Sequence, residues 1–96
     1  MELFIFARFH ARPGSEGAVA EAMRDNFAPT RGEPGCLSIH TLRSIRDPLL
    51  FYIHSRWMVE AAFEIHADLP HTARFLTRVE PLIDHPLDVT RAEHIG

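Results

Sequence analysis

The sequence predicts one α+β domain whose strands and helices follow the order βαββαβ. Three observations support this. Apolar residues switch from alternating to helical spacing and back again twice along the chain. Gly, Pro and Asp-Pro breaks fall at the switches. The 96 residues suffice for one domain, with no repeat or linker to divide them. Right-handed crossovers then give a four-stranded antiparallel sheet with helices on one face, the first and third strands being central neighbours.

Residues 3–9 alternate around Leu3, Ile5 and Phe9, while Phe4, Phe6, Arg8 and His10 hold the opposite parity. A strand apolar on both faces is covered on both sides, and Pro13-Gly14 stops this one. From Ser15 onward Val19, Ala22, Met23 and Phe27 fall at helical spacing, with Glu16 favourably placed in the first turn. Pro29 is expected to end or kink that helix near Ala28, and Gly32-Glu33-Pro34-Gly35 to form a turn. Cys36 to Ile45 reads as the second strand, with Leu37 and Ile39 on one face. Asp47-Pro48 is a reverse-turn signal and Leu49 to Trp57 is a third strand, so the pair forms a hairpin. Helical spacing returns with Val59, Ala62, Phe63 and His66. Pro70 suits the first turn of a new helix, whose face carries Thr72, Phe75, Leu76, Val79, Leu82 and Ile83, with Pro81 in a frayed last turn. Leu87 to Ile95 is a weaker final strand.

The predicted arrangement is ferredoxin-like, with a pocket between sheet and helices. It leaves one sheet face bare, and Phe4, Phe6 and Tyr52 project on the parity assigned to that face. An uncovered apolar face marks an interface, so a homodimer stacking two such faces is expected.

Composition narrows the partners. Apolar content of 46% and charged content of 24% are those of a globular protein. No apolar run approaches the ~20 residues needed to cross a bilayer. The start, Met1-Glu2-Leu3-Phe4-Ile5-Phe6, lacks the features of a secretory signal and reads as a strand; a cytoplasmic protein without a membrane partner is expected. All ten basic residues are Arg, which excludes lysine Schiff-base chemistry. They are scattered, and the net charge is −3, which argues against a nucleic-acid partner. The single Cys36 excludes an internal disulfide and a cysteine zinc cluster.

Seven histidines are many for this length. His66 shares the helix face of Val59, Ala62 and Phe63, nine residues after Trp57. An imidazole there is either a hydrogen-bonded core residue or a proton donor and acceptor lining a pocket, and Trp57 is either core or pocket wall. His71 opens the third helix, where it is solvated or near an anion site. His66 and His71 are five apart across a proline break, unlike the i, i+4 pair of a helical metal site, and no recognisable motif predicts a metal. His10, His40 and His54 can approach one another in the sheet, depending on the hairpin register. A small buried thiol is the default reading of Cys36, because no positive neighbour is visible that would activate it.

Taken in order, these residues resemble the antibiotic biosynthesis monooxygenase family over nearly the whole chain. The resemblance rests on Arg12-Pro13-Gly14, Glu33-Pro34-Gly35-Cys36, Phe51 and Trp57, Ala61-Ala62-Phe63 with His66, Pro70-His71 with Phe75, and Pro81-Leu82-Ile83 with Pro86. It implies a single domain over residues 1–96 and a dimeric α+β barrel built from two sheets. It also implies oxidation of a small phenolic or hydroquinone aromatic substrate by molecular oxygen, without flavin, metal or other cofactor. His66 is then the base or proton shuttle and Trp57 a pocket wall. Phe63 is a further substrate-binding candidate, and His71 and Tyr52 are hydrogen-bonding partners. Two departures matter. The family often has Glu two residues before the Trp, where this chain has Ser55. A haem-degrading branch uses Asn, Trp and His, but here Ala7 stands where its first-strand Asn is expected and the only Asn is Asn26. The alternative is a non-catalytic dimeric protein that binds or senses a small ligand in the same pocket, with haem degradation a distant third.

Overall fold

The structure is a computed structural model that describes residues 1–96. Its elements are β1 (Leu3–His10), α1 (Glu16–Arg31), β2 (Cys36–Arg43), β3 (Leu50–Trp57), α2 (Glu60–Ala67), α3 (Pro70–Val79) and β4 (Asp88–Ala92), with a 3-10 turn over Glu80–Leu82 before β4. The four strands form one antiparallel sheet in the order β2-β3-β1-β4, which puts β1 and β3 at its centre. No helix is long and apolar enough to cross a membrane.

Register decides what each face carries. Ile5 pairs with Ser55, Ala7 with Ile53 and Phe9 with Phe51, and all of these face the helices. Phe6 pairs with His54 and Arg8 with Tyr52, on the helix-free face. Phe6 is 47% exposed and Tyr52 36%, and Leu42, opposite Tyr52, is 52% exposed. His40 pairs with His54, their rings 6.5 Å apart. His10 is separate from that pair.

Beneath the helices the core has two parts. Phe9, stacked on Phe51 and edge-on to Phe75, anchors a larger cluster that includes Val19, Met23, Val79 and Ile83. Trp57, fully buried, anchors a smaller one with Leu3 and Ile5, against which Cys36, Ala62 and Phe63 pack. Burying a large apolar side chain stabilises by roughly 1.5–3 kcal/mol.

Four expectations need correction. Helix α1 runs through Pro29 to Arg31. Pro29 is exposed while Thr30 beside it is buried, so the ring clears the core, and Gly32 N–H donates to Ala28 O to close the last turn. Leu37 does not share the inward face of Ile39. It falls at a break in register between Cys36 and Ser38, which leaves it 47% exposed. Ile83 lies beyond the helix, in a bridge to Ala11, because Pro81 diverts the chain into the 3-10 turn. The edge strands are also shorter than expected: Ile45 lies outside β2 and is almost fully exposed, and Ile95 lies beyond β4.

At the open end of the sheet His10 joins three segments. Its Nδ1 lies 2.8 Å from Asp84 Oδ2, just ahead of β4, and its Nε2 lies 3.1 Å from Asp47 Oδ2 in the hairpin turn. The hydrogen bond to Asp84, reinforced by Asp47, raises the His10 pKa above the ordinary histidine value. Hydrogen bonds from His10 and then His85 lower that of Asp84.

Two predictions follow from the backbone and this clasp. Gly35 has φ +87°, and a Cβ added there meets Ala62 Cβ at 2.6 Å, whereas at Gly14, with φ +89°, an added Cβ meets nothing. Gly35→Ala should cost about 2–4 kcal/mol in urea unfolding and Gly14→Ala about 1 kcal/mol; equal costs would refute the clash. The His10 contribution is fully present below the ordinary histidine pKa and is lost as pH rises through the raised folded value. The Asp84 contribution is present above the ordinary carboxylate pKa and is lost as pH falls through its lowered value. The stability advantage of the wild type over His10→Gln should therefore be larger at about pH 5.5 than at about pH 9. A pH-independent difference would show that the clasp carries no charge.

Candidate functional site

The site begins with a turn. Glu33-Pro34-Gly35-Cys36 closes with Cys36 N–H donating to Glu33 O at 3.1 Å, and Pro34 followed by positive-φ Gly35 is the signature of a type II turn. Glu33 N–H in turn donates to Thr30 O at the end of α1, and Met58 N–H, after β3, donates to Gly35 O. The Glu33 side chain is thereby aimed inward from a well-anchored backbone and is only 7% exposed.

Two histidines meet that carboxylate. His66 near the end of α2 places Nδ1 2.7 Å from Glu33 Oε2. His71, in the first turn of α3, places Nε2 2.8 Å from the same oxygen. The rings are 5.9 Å apart, brought together by the chain break at Leu69-Pro70. Thr72 Oγ1 lies 3.3 Å from His66 Nδ1 and Thr30 Oγ1 3.5 Å from His71 Nε2. Every hydrogen bond that the protein makes to the His66 ring falls on Nδ1. A carboxylate at that nitrogen favours its N–H form and leaves a lone pair on Nε2.

His66 is packed among aromatic rings, with Trp57 at 4.9 Å and Phe63 at 5.5 Å between centroids. It lines a cavity of about 260 Å³ between the two parts of the core. The sheet side of this cavity is made by Ile5, Ala7, Ile39, Ile53 and Ser55. Phe63 and Phe75 add aromatic walls from the helices, and the exposed Ala67 and Val89 stand at its rim. Its polar groups are few: His66, Thr30, Thr72, Ser55 and Asn26. Ser55 Oγ is occupied, accepting from Trp57 Nε1 at 3.0 Å. Asn26 is 9% exposed, and its Oδ1 is buried without a hydrogen-bond partner. A buried acceptor left unpaired costs about 1–3 kcal/mol, which a ligand donor reaching it would relieve.

The five residues singled out from sequence divide accordingly. His66 and Phe63 line the cavity. Trp57 backs it instead, packed at a tilt against His66 and fully buried, its indole N–H spent on Ser55. His71 borders the neighbouring cleft and is linked to cavity residues through Glu33 and Thr30. Tyr52 is corrected: the even parity that pairs it with Arg8 puts it on the helix-free face, away from the other four. Sequence reasoning missed Glu33 as a site residue, although it sits in a singled-out turn. It also missed Asn26 and Thr30, whose signal is visible in retrospect as polar residues on the buried stripe of α1 with Val19, Ala22 and Met23. The surroundings of Cys36 disfavour a thiolate. Burial, and then the Glu33 carboxylate, raise its thiol above the usual value, which keeps it protonated at neutral pH.

Solved structures share this architecture. PA3566 from Pseudomonas aeruginosa is 29% identical with TM-score 0.91, the match covering 99% of this chain and 95% of that one. Rv0793 from Mycobacterium tuberculosis is 25% identical with TM-score 0.94, covering 100% and 97%. The family model described as antibiotic biosynthesis monooxygenase matches residues 3–78. That span takes in β1, the Glu33 turn, Trp57 and both site histidines, and the chain belongs to the antibiotic biosynthesis monooxygenase family.

Proposed function

We propose that the protein is a monooxygenase that uses molecular oxygen to oxidise a small phenol or hydroquinone, with His66 as the base. The observation that carries this reading is an imidazole set in the wall of a largely apolar cavity, with Nδ1 held by a buried carboxylate and Nε2 unengaged. The overall reaction balances without an outside reductant: a hydroquinone and O₂ give a hydroxyquinone and water. His66 Nε2 takes the phenolic proton, and Glu33 supports the imidazolium that forms. The resulting anion is electron-rich enough to pass one electron to triplet O₂. The superoxide and aryloxyl radical then combine at a ring carbon, the peroxide anion takes back the proton held on His66, and loss of water from the hydroperoxide forms the second carbonyl. The protein's share is to exclude water, hold the ring between Phe63 and Phe75, and position the proton acceptor. The substrate supplies the electrons, so this chemistry needs no flavin or metal.

The same reading includes a homodimer through the helix-free face. Phe6, Tyr52 and Leu42 form an exposed apolar group there that water alone would cover. Stacking two such faces supplies burial that a short chain lacks.

Oxygen uptake with a panel of quinols in the presence of a chelator tests the reaction. His66→Ala should lower kcat by about 10²–10⁴-fold, and Glu33→Gln by about 10–100-fold through lost orientation of the ring. An unchanged rate in His66→Ala would reject the assigned role. Binding of a quinol without turnover under air would favour a non-catalytic sensor instead. Sedimentation tests the assembly: a dimer is expected for the wild type and a monomer for a Phe6→Asp/Tyr52→Asp variant, and a wild-type monomer at all concentrations would end the dimer reading.

A further inference from the structure

Glu33, His66 and His71 form a three-way junction of which the oxygenase reading uses only one arm. We propose that this junction is a binding site for a divalent first-row transition ion, held by Glu33 Oε2, His66 Nδ1 and His71 Nε2. These atoms lie within 4.8 Å of one another. Two imidazole nitrogens and one carboxylate form a ligand set that zinc and ferrous iron both accept. The residues come from a turn and two different helices, so the spacing of the two histidines in sequence gives no hint of it.

The geometry requires little change. The N···O separations of 2.7 and 2.8 Å are hydrogen-bond lengths. A tetrahedral ion with ligand bonds of roughly 2.0–2.2 Å needs edges of about 3.3 Å, so the side chains must open by only about half an ångström. Glu33, His66 and His71 are 7%, 12% and 18% exposed, enclosed enough to strengthen coordination yet reachable from outside. His71 borders a second cleft, lined also by Pro29 and Arg74, that gives an ion its route from solvent. Thr30 and Thr72 stand at the edge of the junction, where their hydroxyls can hold water bound to the ion. Three protein ligands leave at least one coordination position open, and His66, Thr30 and Thr72 all line the 260 Å³ cavity. The ion would therefore border the cavity through His66, Thr30 and Thr72, with Glu33 and His71 on its far side.

Coordination has a chemical consequence for His66. An imidazole bound through Nδ1 carries its remaining proton on Nε2, which turns that nitrogen from an acceptor into a donor. An ion at the junction would thus switch off the proton abstraction proposed above. Only this consequence rests on the oxygenase reading. Binding itself does not.

The test uses full-length protein stripped by a chelator and then dialysed free of it, titrated without substrate under nitrogen. Zn²⁺ is followed by calorimetry and Co²⁺ by its visible absorption. One ion per chain is expected, with intense Co²⁺ bands of low coordination number. Affinity should fall at least about tenfold in Glu33→Gln and in His71→Gln, and stay unchanged in His54→Gln, which disrupts the separate His40–His54 pair. Unaltered near-ultraviolet circular dichroism confirms that each variant is folded. Should Glu33→Gln prove misfolded, His71→Gln and the wild-type Co²⁺ spectrum decide. Wild-type affinity weaker than about 1 mM, equal affinity in His71→Gln, or loss in His54→Gln would each overturn the site. Quinol oxidation without metal binding removes this proposal alone, and metal binding without quinol oxidation removes the oxygenase reading alone.

Discussion

A buried carboxylate cannot stand alone in an apolar interior, because the desolvation of an unpaired charge costs several kcal/mol. Glu33 meets that constraint with two imidazoles on one oxygen, and much of the surrounding structure is arranged to make this possible. The helical segment after β3 has to break so that His66 can end one helix and His71 begin the next. Leu69-Pro70 supplies the break, with proline at the first helical position, where its missing N–H is not needed. The loop before β2 has to turn tightly enough to point Glu33 inward, and Pro34-Gly35 supplies that turn. Gly35 also lets α2 come close, since no Cβ fits against Ala62 there. Turn, helix break and site are therefore one device.

The cavity follows from how the core is divided. Phe9, Phe51 and Phe75 fill one end beneath α1 and α3, and Trp57 with Leu3 and Ile5 fills the other. The small residues Ala7 and Ser55 lie on the central strands between these ends. Where small side chains stand near each other on the helix-side face of the sheet, the helices leave a gap above them. Ser55 has a second effect: by accepting the Trp57 indole hydrogen it fixes the ring against which His66 packs. Ser55 thus carries a hydroxyl committed to structure, and the carboxylate beside the histidines arrives from the α1–β2 turn.

How much of this was legible in sequence depended on the range of the interaction. Period and punctuation located all four strands and all three helices, because both reflect local backbone preferences. Two differences fell where tertiary packing overrode those preferences, Pro29 inside α1 and Leu37 at a break in register, and a third, Ile83 beyond its helix, followed from Pro81. Among the site residues, His66, Phe63 and Trp57 come together as expected, since all three lie on apolar faces whose direction periodicity reveals. Tyr52 lies on the other face of the sheet, as its parity predicts.

The sequence by itself determined the strand and helix order, the central place of β1 and β3, and the apolar faces that sheet and helices turn toward each other. These properties are periodic, and a period can be read without knowing what lies opposite. Tertiary structure alone decided that Glu33 would meet His66 and His71, that Asn26 would be buried with Oδ1 unpartnered, and that His40 would lie beside His54 rather than His10. Each of those is a contact between segments distant along the chain, governed by a turn angle, a register or a helix break. The spacing of residues in sequence carries no record of such a meeting.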